Sequence, residues 1–233
     1  MVTFSRLGQI ALDLIYPPRC AICSRGGSML CSACEASLPR PLPPRCPRCW
    51  LPRFESTRCR HCDEKPLSLN AVRAAYRYEK EARRLVHALK YRDQSALAPI
   101  MAGSMGLIAR DEGLAADVIL PVPLTAARQR QRGYNQASLL AKEVARALNT
   151  PILPRALRRT RSSPPQAQTA SAEQRRRNVE GAFRVSRTEL VAGKRVLLVD
   201  DVITTGATLD ACSRVLLAAG VREVAAITYA RED

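Results

Sequence analysis

Four CxxC pairs stand in series within the first 62 residues: Cys20/Cys23, Cys31/Cys34, Cys46/Cys49 and Cys59/Cys62. A CxxC turn places two thiol sulfurs on one side of a tight loop, and two such turns supply the four ligands of a tetrahedral zinc ion. Eight cysteines therefore suit two all-sulfur zinc sites. With every position filled by protein, both ions are structural rather than catalytic. Two pairings remain open to the sequence: consecutive pairs (Cys20, Cys23, Cys31, Cys34 and Cys46, Cys49, Cys59, Cys62) or interleaved ones. His61, inside the last pair, reads as a bystander, and the ninth cysteine, Cys212, as a small apolar helix residue. Met1–Tyr16 carries Arg6 and an apolar stretch broken by Gln9 and Asp13. It reads as a short amphipathic helix and not as a signal peptide. A reducing, cytoplasmic location is the expectation, so metal binding outranks disulfides.

The composition changes between Pro66 and Asn70, which divides the chain into a cysteine-rich zinc domain (1–68) and a larger domain (69–233). Beyond that point apolar strands alternate with amphipathic helices. Ala71–Tyr78 reads as a strand, followed by helical spacing at Ala82, Leu85, Val86 and Leu89. Ala96–Ile108 is a second helical stretch, and Asp117–Val122 a short strand. Ala137, Leu140, Ala141, Val144, Ala145 and Leu148 form the clearest helical stripe. Ile152–Leu157 reads as a strand, and Arg158–Gly181 as a basic loop too long to be a plain connection. Val196–Val199 reads as a buried strand, Thr208–Ala219 as a helix closed by Gly220, and Val224–Tyr229 as a last strand. The alternation predicts an α/β fold, an open parallel sheet flanked by helices.

The net charge is +16, which suits polyanionic partners such as nucleic acid or the phosphates of a small ligand. Only five of the 37 basic residues are lysine, so part of this charge reflects arginine-rich composition. The apolar runs are too short and too interrupted for a membrane span.

The segment Val196–Thr208 carries the most chemical information. An apolar strand delivers Asp200 and Asp201. A loop of Thr204, Thr205, Gly206, Ala207 and Thr208 follows and opens a helix. In an open α/β sheet, ligands sit at that edge. Loop amides and hydroxyls can surround a phosphate, aided by the positive end of the helix. Two acids beside such a cradle repel phosphate unless they do other work, and accepting hydrogen bonds from vicinal sugar hydroxyls is such work.

This stretch resembles the 5-phosphoribosyl-1-pyrophosphate (PRPP) signature of the type I phosphoribosyltransferases. By that resemblance Asp200 and Asp201 hold the ribose hydroxyls, and Thr204 to Thr208 hold the 5-phosphate. Pro121-Val122-Pro123, Arg128, and Arg132-Gly133-Tyr134-Asn135-Gln136 further resemble the competence protein F (ComF) family. So do Leu89-Lys90-Tyr91, Pro165-Gln166, Arg177-Asn178 and Gly181-Ala182-Phe183, as does the cysteine-rich N-terminal module. The resemblance implies a phosphoribosyltransferase that moves phosphoribosyl from PRPP to an unidentified acceptor, releases pyrophosphate and uses magnesium with the polyphosphate. Arg128 and Arg132 are the candidate pyrophosphate ligands, with Lys90 behind them. Ser163–Arg177 looks like the loop that closes over PRPP in related transferases. The family's link to natural transformation implies single-stranded DNA or competence-machinery proteins as partners. A second class of function is a non-catalytic PRPP or nucleotide sensor, or a single-stranded DNA adaptor; scarce aromatics argue against a stacking platform. In a third reading the zinc module is a protein docking site.

Overall fold

The computed structural model describes residues 18–53, 59–91, 94–160, 179 and 181–233. The expected helix at Met1–Tyr16, the loop Ser163–Arg177, and the pairs Pro165-Gln166 and Arg177-Asn178 lie outside them. Four strands form a parallel sheet: β1 (Ala71–Arg77), β2 (Val118–Pro121), β5 (Arg195–Ile203) and β6 (Glu223–Arg231), in the order β1-β6-β5-β2. Two short strands, β3 (Leu157–Arg159) and β4 (Phe183–Val185), pair antiparallel beside it. The helices are α1 (Ser32–Ala36), α2 (Arg60–Glu64), α3 (Lys80–Tyr91), α4 (Ala98–Asp111), α5 (Ala126–Arg132), α6 (Gln136–Leu148) and α7 (Ala207–Ala218).

The pleat of β5 shows why the sheet is covered on both faces. Successive side chains of a strand point to opposite sides. Leu197 and Val199 enter one apolar cluster with Leu85 of α3, Met101 of α4 and Leu140 of α6. Val196 and Leu198 enter another with Leu209 and Leu216 of α7. Full burial of one such side chain contributes about 1.5–3 kcal/mol. On the first face α4 and α6 approach so closely that a Cβ at Gly106 would lie 3.0 Å from the Ala147 Cβ. Glycine is what permits that contact.

The cysteine-rich segment closes the free edge of the sheet. Val72 N–H of β1 donates to the Arg48 carbonyl at 2.8 Å and Arg77 N–H to the Pro39 carbonyl at 2.8 Å. Trp50 Nε1 donates to the Ala74 carbonyl at 3.1 Å, and the Arg73 guanidinium stacks 4.5 Å from the Trp50 ring centroid. An open strand edge is a template for aggregation, and here the zinc segment occupies it.

Two expectations are corrected, and one helix has no counterpart in the sequence reading. Ile152–Leu157 is not a strand: Ile152 makes one isolated parallel bridge to Ile119, and regular pairing starts only at Leu157. Pro154 has no N–H to give to a ladder. The basic stretch from Arg158 begins as the β3 arm of a hairpin, not as a loop. Helix α5 has no apolar stripe and is held by its ends: the Thr125 side chain accepts from Arg128 N–H at 3.2 Å, and Gly133 closes it at φ 76°. Among the described residues no helix is long and apolar enough to cross a membrane.

Candidate functional site

The cysteines assemble into two groups of consecutive pairs: Cys20, Cys23, Cys31, Cys34, and Cys46, Cys49, Cys59, Cys62. Within each, all four sulfurs lie within 4.8 Å of one another. A tetrahedron with metal–sulfur bonds of ~2.3 Å has edges of about 3.8 Å. The Cys23–Cys31, Cys46–Cys62 and Cys49–Cys59 sulfur pairs stand 3.7, 3.8 and 3.6 Å apart. The donor set and spacing fit structural zinc at both sites, and the interleaved pairing is excluded. His61 belongs to neither group. Burial pushes the Cys46 thiol up, but hydrogen bonds from the Cys49 and Arg48 backbones outweigh it and bring the group down to about 7. Backbone donors act the same way at Cys20, which falls to about 6 against the upward push of burial. The knuckle amides thus favour the thiolate at one cysteine of each group, whereas burial and the neighbouring cysteines push Cys34 and Cys49 up.

The second candidate site is the carboxyl edge of the parallel sheet. β5 runs on to Ile203, so Asp200 and Asp201 stand inside its last turn-ward residues. Asp201 is 7% exposed, and its backbone N–H donates to Asp200 Oδ1 at 2.8 Å. Lys90, at the end of α3, brings Nζ to 3.0 Å from Asp201 Oδ1. Burial pushes the Asp200 carboxyl up and the Asp201 charge adds to it, reaching about 7 despite Lys90 and Arg132. At Lys90 burial opposes the cation, but the charges of Asp201 and Asp200 prevail and raise it.

Around this pair the motif residues act as a bracket. Tyr134 Oη donates to the Leu89 carbonyl at 2.6 Å, fixing the end of α3 that carries Lys90. Asn135 Nδ2 donates to the Val122 carbonyl at 3.0 Å, and its Oδ1 accepts from Ala137 N–H to cap α6. Arg132 donates to Gln136 Oε1 at 2.9 Å and to Tyr91 Oη at 3.1 Å, its guanidinium 4.9 Å from the Tyr91 ring centroid. Lys90, Arg132, Asp200 and Asp201 are therefore brought together. Arg128 is exposed, and its charge acts on Arg159.

Thr204 to Gly206 turn from β5 into α7. Gly206 is the N-cap at φ 78°, and a Cβ there would lie 3.3 Å from both Leu67 methyls. The glycine is thus required by the positive φ and by the linker packed on it. Ala207 N–H reaches Thr205 Oγ1 at 3.4 Å. Ser68 N–H donates to Asp210 Oδ1 at 2.6 Å and Ser213 Oγ to the Ser68 carbonyl at 2.7 Å, seating the linker on α7.

Beside this edge lies a cleft of about 550 Å³ lined by Leu124, Gln129, Asn135, Arg155, Arg158 and Arg159 among others, with no acid among the described residues of its lining. Burial pushes the Arg159 guanidinium down and the nearby Arg128 adds to it, while Asp200 works the other way; its carbon stands 5.4 Å from the Phe183 ring centroid. Sequence reasoning missed Arg159, which no motif sets apart from Arg155 and Arg158.

Comparison with known proteins finds two family models in the chain. A phosphoribosyl transferase domain matches residues 131–232, and a double zinc ribbon domain matches residues 11–63. Competence protein F of Haemophilus influenzae is 33% identical over 203 residues, covering 84% of this chain and 87% of its own length. DNA utilization protein YhgH of Escherichia coli O157:H7 is 33% identical over 221 residues, 91% of this chain and 96% of its own. Competence protein ComFC of Bacillus subtilis is 25% identical over 201 residues, 82% and 79% respectively.

Proposed function

The chain belongs to the competence protein F family, and from that premise we propose that it binds PRPP at the carboxyl edge of its sheet and transfers phosphoribosyl to an acceptor, releasing pyrophosphate. The observation that carries this reading is the cluster of Asp200, Asp201, Lys90 and Arg132 just ahead of the Gly206-capped helix α7. In it, Asp200 and Asp201 accept hydrogen bonds from the ribose hydroxyls. Thr204 to Thr208 and the positive end of α7 hold the 5-phosphate. We read 1–68 and 69–233 as the two domains.

When the bond between ribose C1 and the pyrophosphate oxygen breaks, its electron pair leaves with pyrophosphate and positive charge develops on the sugar. The acceptor's lone pair forms the new bond. Arg132 and Arg128 stabilise the leaving group, and Lys90, displaced from Asp201, joins them. The chain offers magnesium two adjacent hard oxygen donors, Asp200 and Asp201, which suits an ion that keeps waters and substrate phosphates as its other ligands. When bound, that ion supplies charge neutralisation to the polyphosphate.

The names of the relatives, competence protein and DNA utilization protein, support a role in handling DNA, which we place in the cytoplasm. A second reading is favoured by the cleft lined by Arg155, Arg158 and Arg159: a PRPP sensor or single-stranded DNA adaptor without turnover. Pyrophosphate release separates the two. PRPP and magnesium are incubated with nucleobases, amines and short DNA strands. Turnover with one acceptor, lost in Lys90→Ala, supports the transferase; tight PRPP binding with no turnover on any of them favours the sensor.

A further inference from the structure

Gln136 opens α6 and is 1% exposed. The other buried positions of that helix, Ala137, Leu140, Ala141, Val144 and Ala145, are all apolar. An amide buried beside them is costly unless it is hydrogen-bonded. Its bond goes to Arg132, whose Nη1 donates to Gln136 Oε1 at 2.9 Å. A guanidinium only donates, so this bond fixes which end of the amide faces it. The other terminal nitrogen, Arg132 Nη2, donates to Tyr91 Oη at 3.1 Å, with the guanidinium 4.9 Å from the Tyr91 ring centroid. Tyr91 ends α3, and the Tyr134 hydroxyl holds that end by its bond to the Leu89 carbonyl. The guanidinium is thus gripped at both terminal nitrogens, one from α6 and one from α3.

Both of these grips are neutral. Elsewhere in the chain Arg45, Arg73 and Arg195 are held by Asp233, Glu112 and Asp117 at 2.8, 2.9 and 2.7 Å. Each of those carboxylates fixes its arginine and offsets its charge. Among the described residues the direct partners of Arg132 are an amide, a phenol and a ring, and no carboxylate pairs with it. Its charge reaches Asp200, across the site. Neutral acceptors fix the direction of a guanidinium and leave its charge for an incoming anion, which is preorganisation without neutralisation. We propose that Gln136 and Tyr91 are positioning residues that hold Arg132 without neutralising it, so that its whole charge is kept for the pyrophosphate group. The inference rests on the transferase reading, in which Arg132 meets the leaving group. It adds the reason why position 136 takes an amide and not an acid.

The probe is inorganic pyrophosphate with magnesium, titrated by calorimetry into the full-length zinc-loaded protein, with thermal unfolding of each variant measured beside it. Gln136→Glu keeps an oxygen on Arg132 and adds a negative charge. It is expected to keep or raise the Tm and to weaken pyrophosphate by about 10–100-fold, the loss of one charge-assisted contact. A merely structural role would move affinity and stability together. Tyr91→Phe keeps the ring and removes one grip, at a side chain 58% exposed, and is expected to weaken pyrophosphate by about 2–10-fold. Wild-type affinity in Gln136→Glu overturns the proposal. Should that variant not fold, Tyr91→Phe decides alone: weakened binding at an unchanged Tm supports the grip, and wild-type affinity refutes it. Asp93, Glu173 and Glu180 lie outside the described residues, so Asp93→Asn, Glu173→Gln and Glu180→Gln are titrated as well. Wild-type affinity in all three supports the neutral grip; a gain of about tenfold in any of them shows an acid already offsetting Arg132 and overturns it. Absence of pyrophosphate binding to the folded wild type overturns the transferase reading itself, and the inference falls with it. Equal binding to wild type and Gln136→Glu overturns the inference alone.

Discussion

Lys90 Nζ stands 3.0 Å from Asp201 Oδ1, with side chains 19% and 10% exposed, so a lysine from α3 caps the acidic pair of β5. The end of α3 and the end of β5 are thereby tied together. Breaking a mostly buried pair by removing one partner leaves the other unpaired. Lys90→Ala is expected to lower stability by about 1–3 kcal/mol, discounted for its residual exposure. Chemical denaturation measures this, and an unchanged midpoint refutes it.

Asp200 sets a pH dependence. Its carboxyl is raised from 3.8 to about 7 in the folded chain, by burial first and then by Asp201. Between pH 4 and 7 the folded state therefore holds a proton that the unfolded state has lost. Its contribution to stability is complete below about pH 4 and falls away as pH rises to 7. Asp200→Asn removes this slope, so the stability difference between variant and wild type changes across pH 4–7 and is flat above it. A difference that stays constant over pH 4–7 contradicts the assignment.

The same titration bears on ligand binding. An ionised carboxylate is the stronger acceptor for sugar hydroxyls, so PRPP binding near pH 6 expels a proton from Asp200. Calorimetry at pH 6 in buffers of different ionisation enthalpy is expected to report proton release. Lys90→Ala removes a charge that keeps Asp200 ionised, and moves the pH of half-maximal affinity upward.

Gly206→Ala is destabilising for two reasons. The φ of 78° disfavours any side chain, and the new Cβ would lie 3.3 Å from Leu67. The cost is about 1–2 kcal/mol, or roughly 2–8 °C in a chain of this size. Thermal unfolding beside Gly103→Ala, a position with open space around it, checks that the effect is local.

The two zinc centres are not equivalent in consequence. Cys49 lies in the module that seals β1, next to Arg48 and Trp50. Cys49→Ser is expected to bind one zinc and to aggregate through the exposed β1 edge. Cys31→Ser also binds one zinc but stays dispersed. Metal analysis with light scattering reads both, and equal aggregation contradicts the edge-sealing role.

The strands and helices with strong apolar patterns were legible before the structure. The runs at Ala71–Tyr78, Val196–Val199 and Val224–Tyr229 became β1, β5 and β6, and the stripe from Ala137 to Leu148 became α6. Elements held by caps or by neighbours were not. Helix α5 has polar residues all round and depends on Thr125 and Gly133. Ile152 meets the sheet at one bridge, a fact of tertiary packing that no local pattern carries. The acidic pair and the glycine-bearing loop stood out as chemistry in sequence. That Tyr134 and Asn135 would act by gripping the carbonyls of Leu89 and Val122 did not, because only the fold brings those segments together. The cysteine spacing named the metal but left the pairing open until the sulfurs were placed.

The central claim is tested most directly by calorimetric titration of PRPP with magnesium into the zinc-loaded wild type and into Asp200→Asn/Asp201→Asn. The account predicts saturable binding at one site per chain, abolished by the double substitution while both zinc ions stay bound. No binding to the folded wild type, or equal binding to the variant, would contradict it.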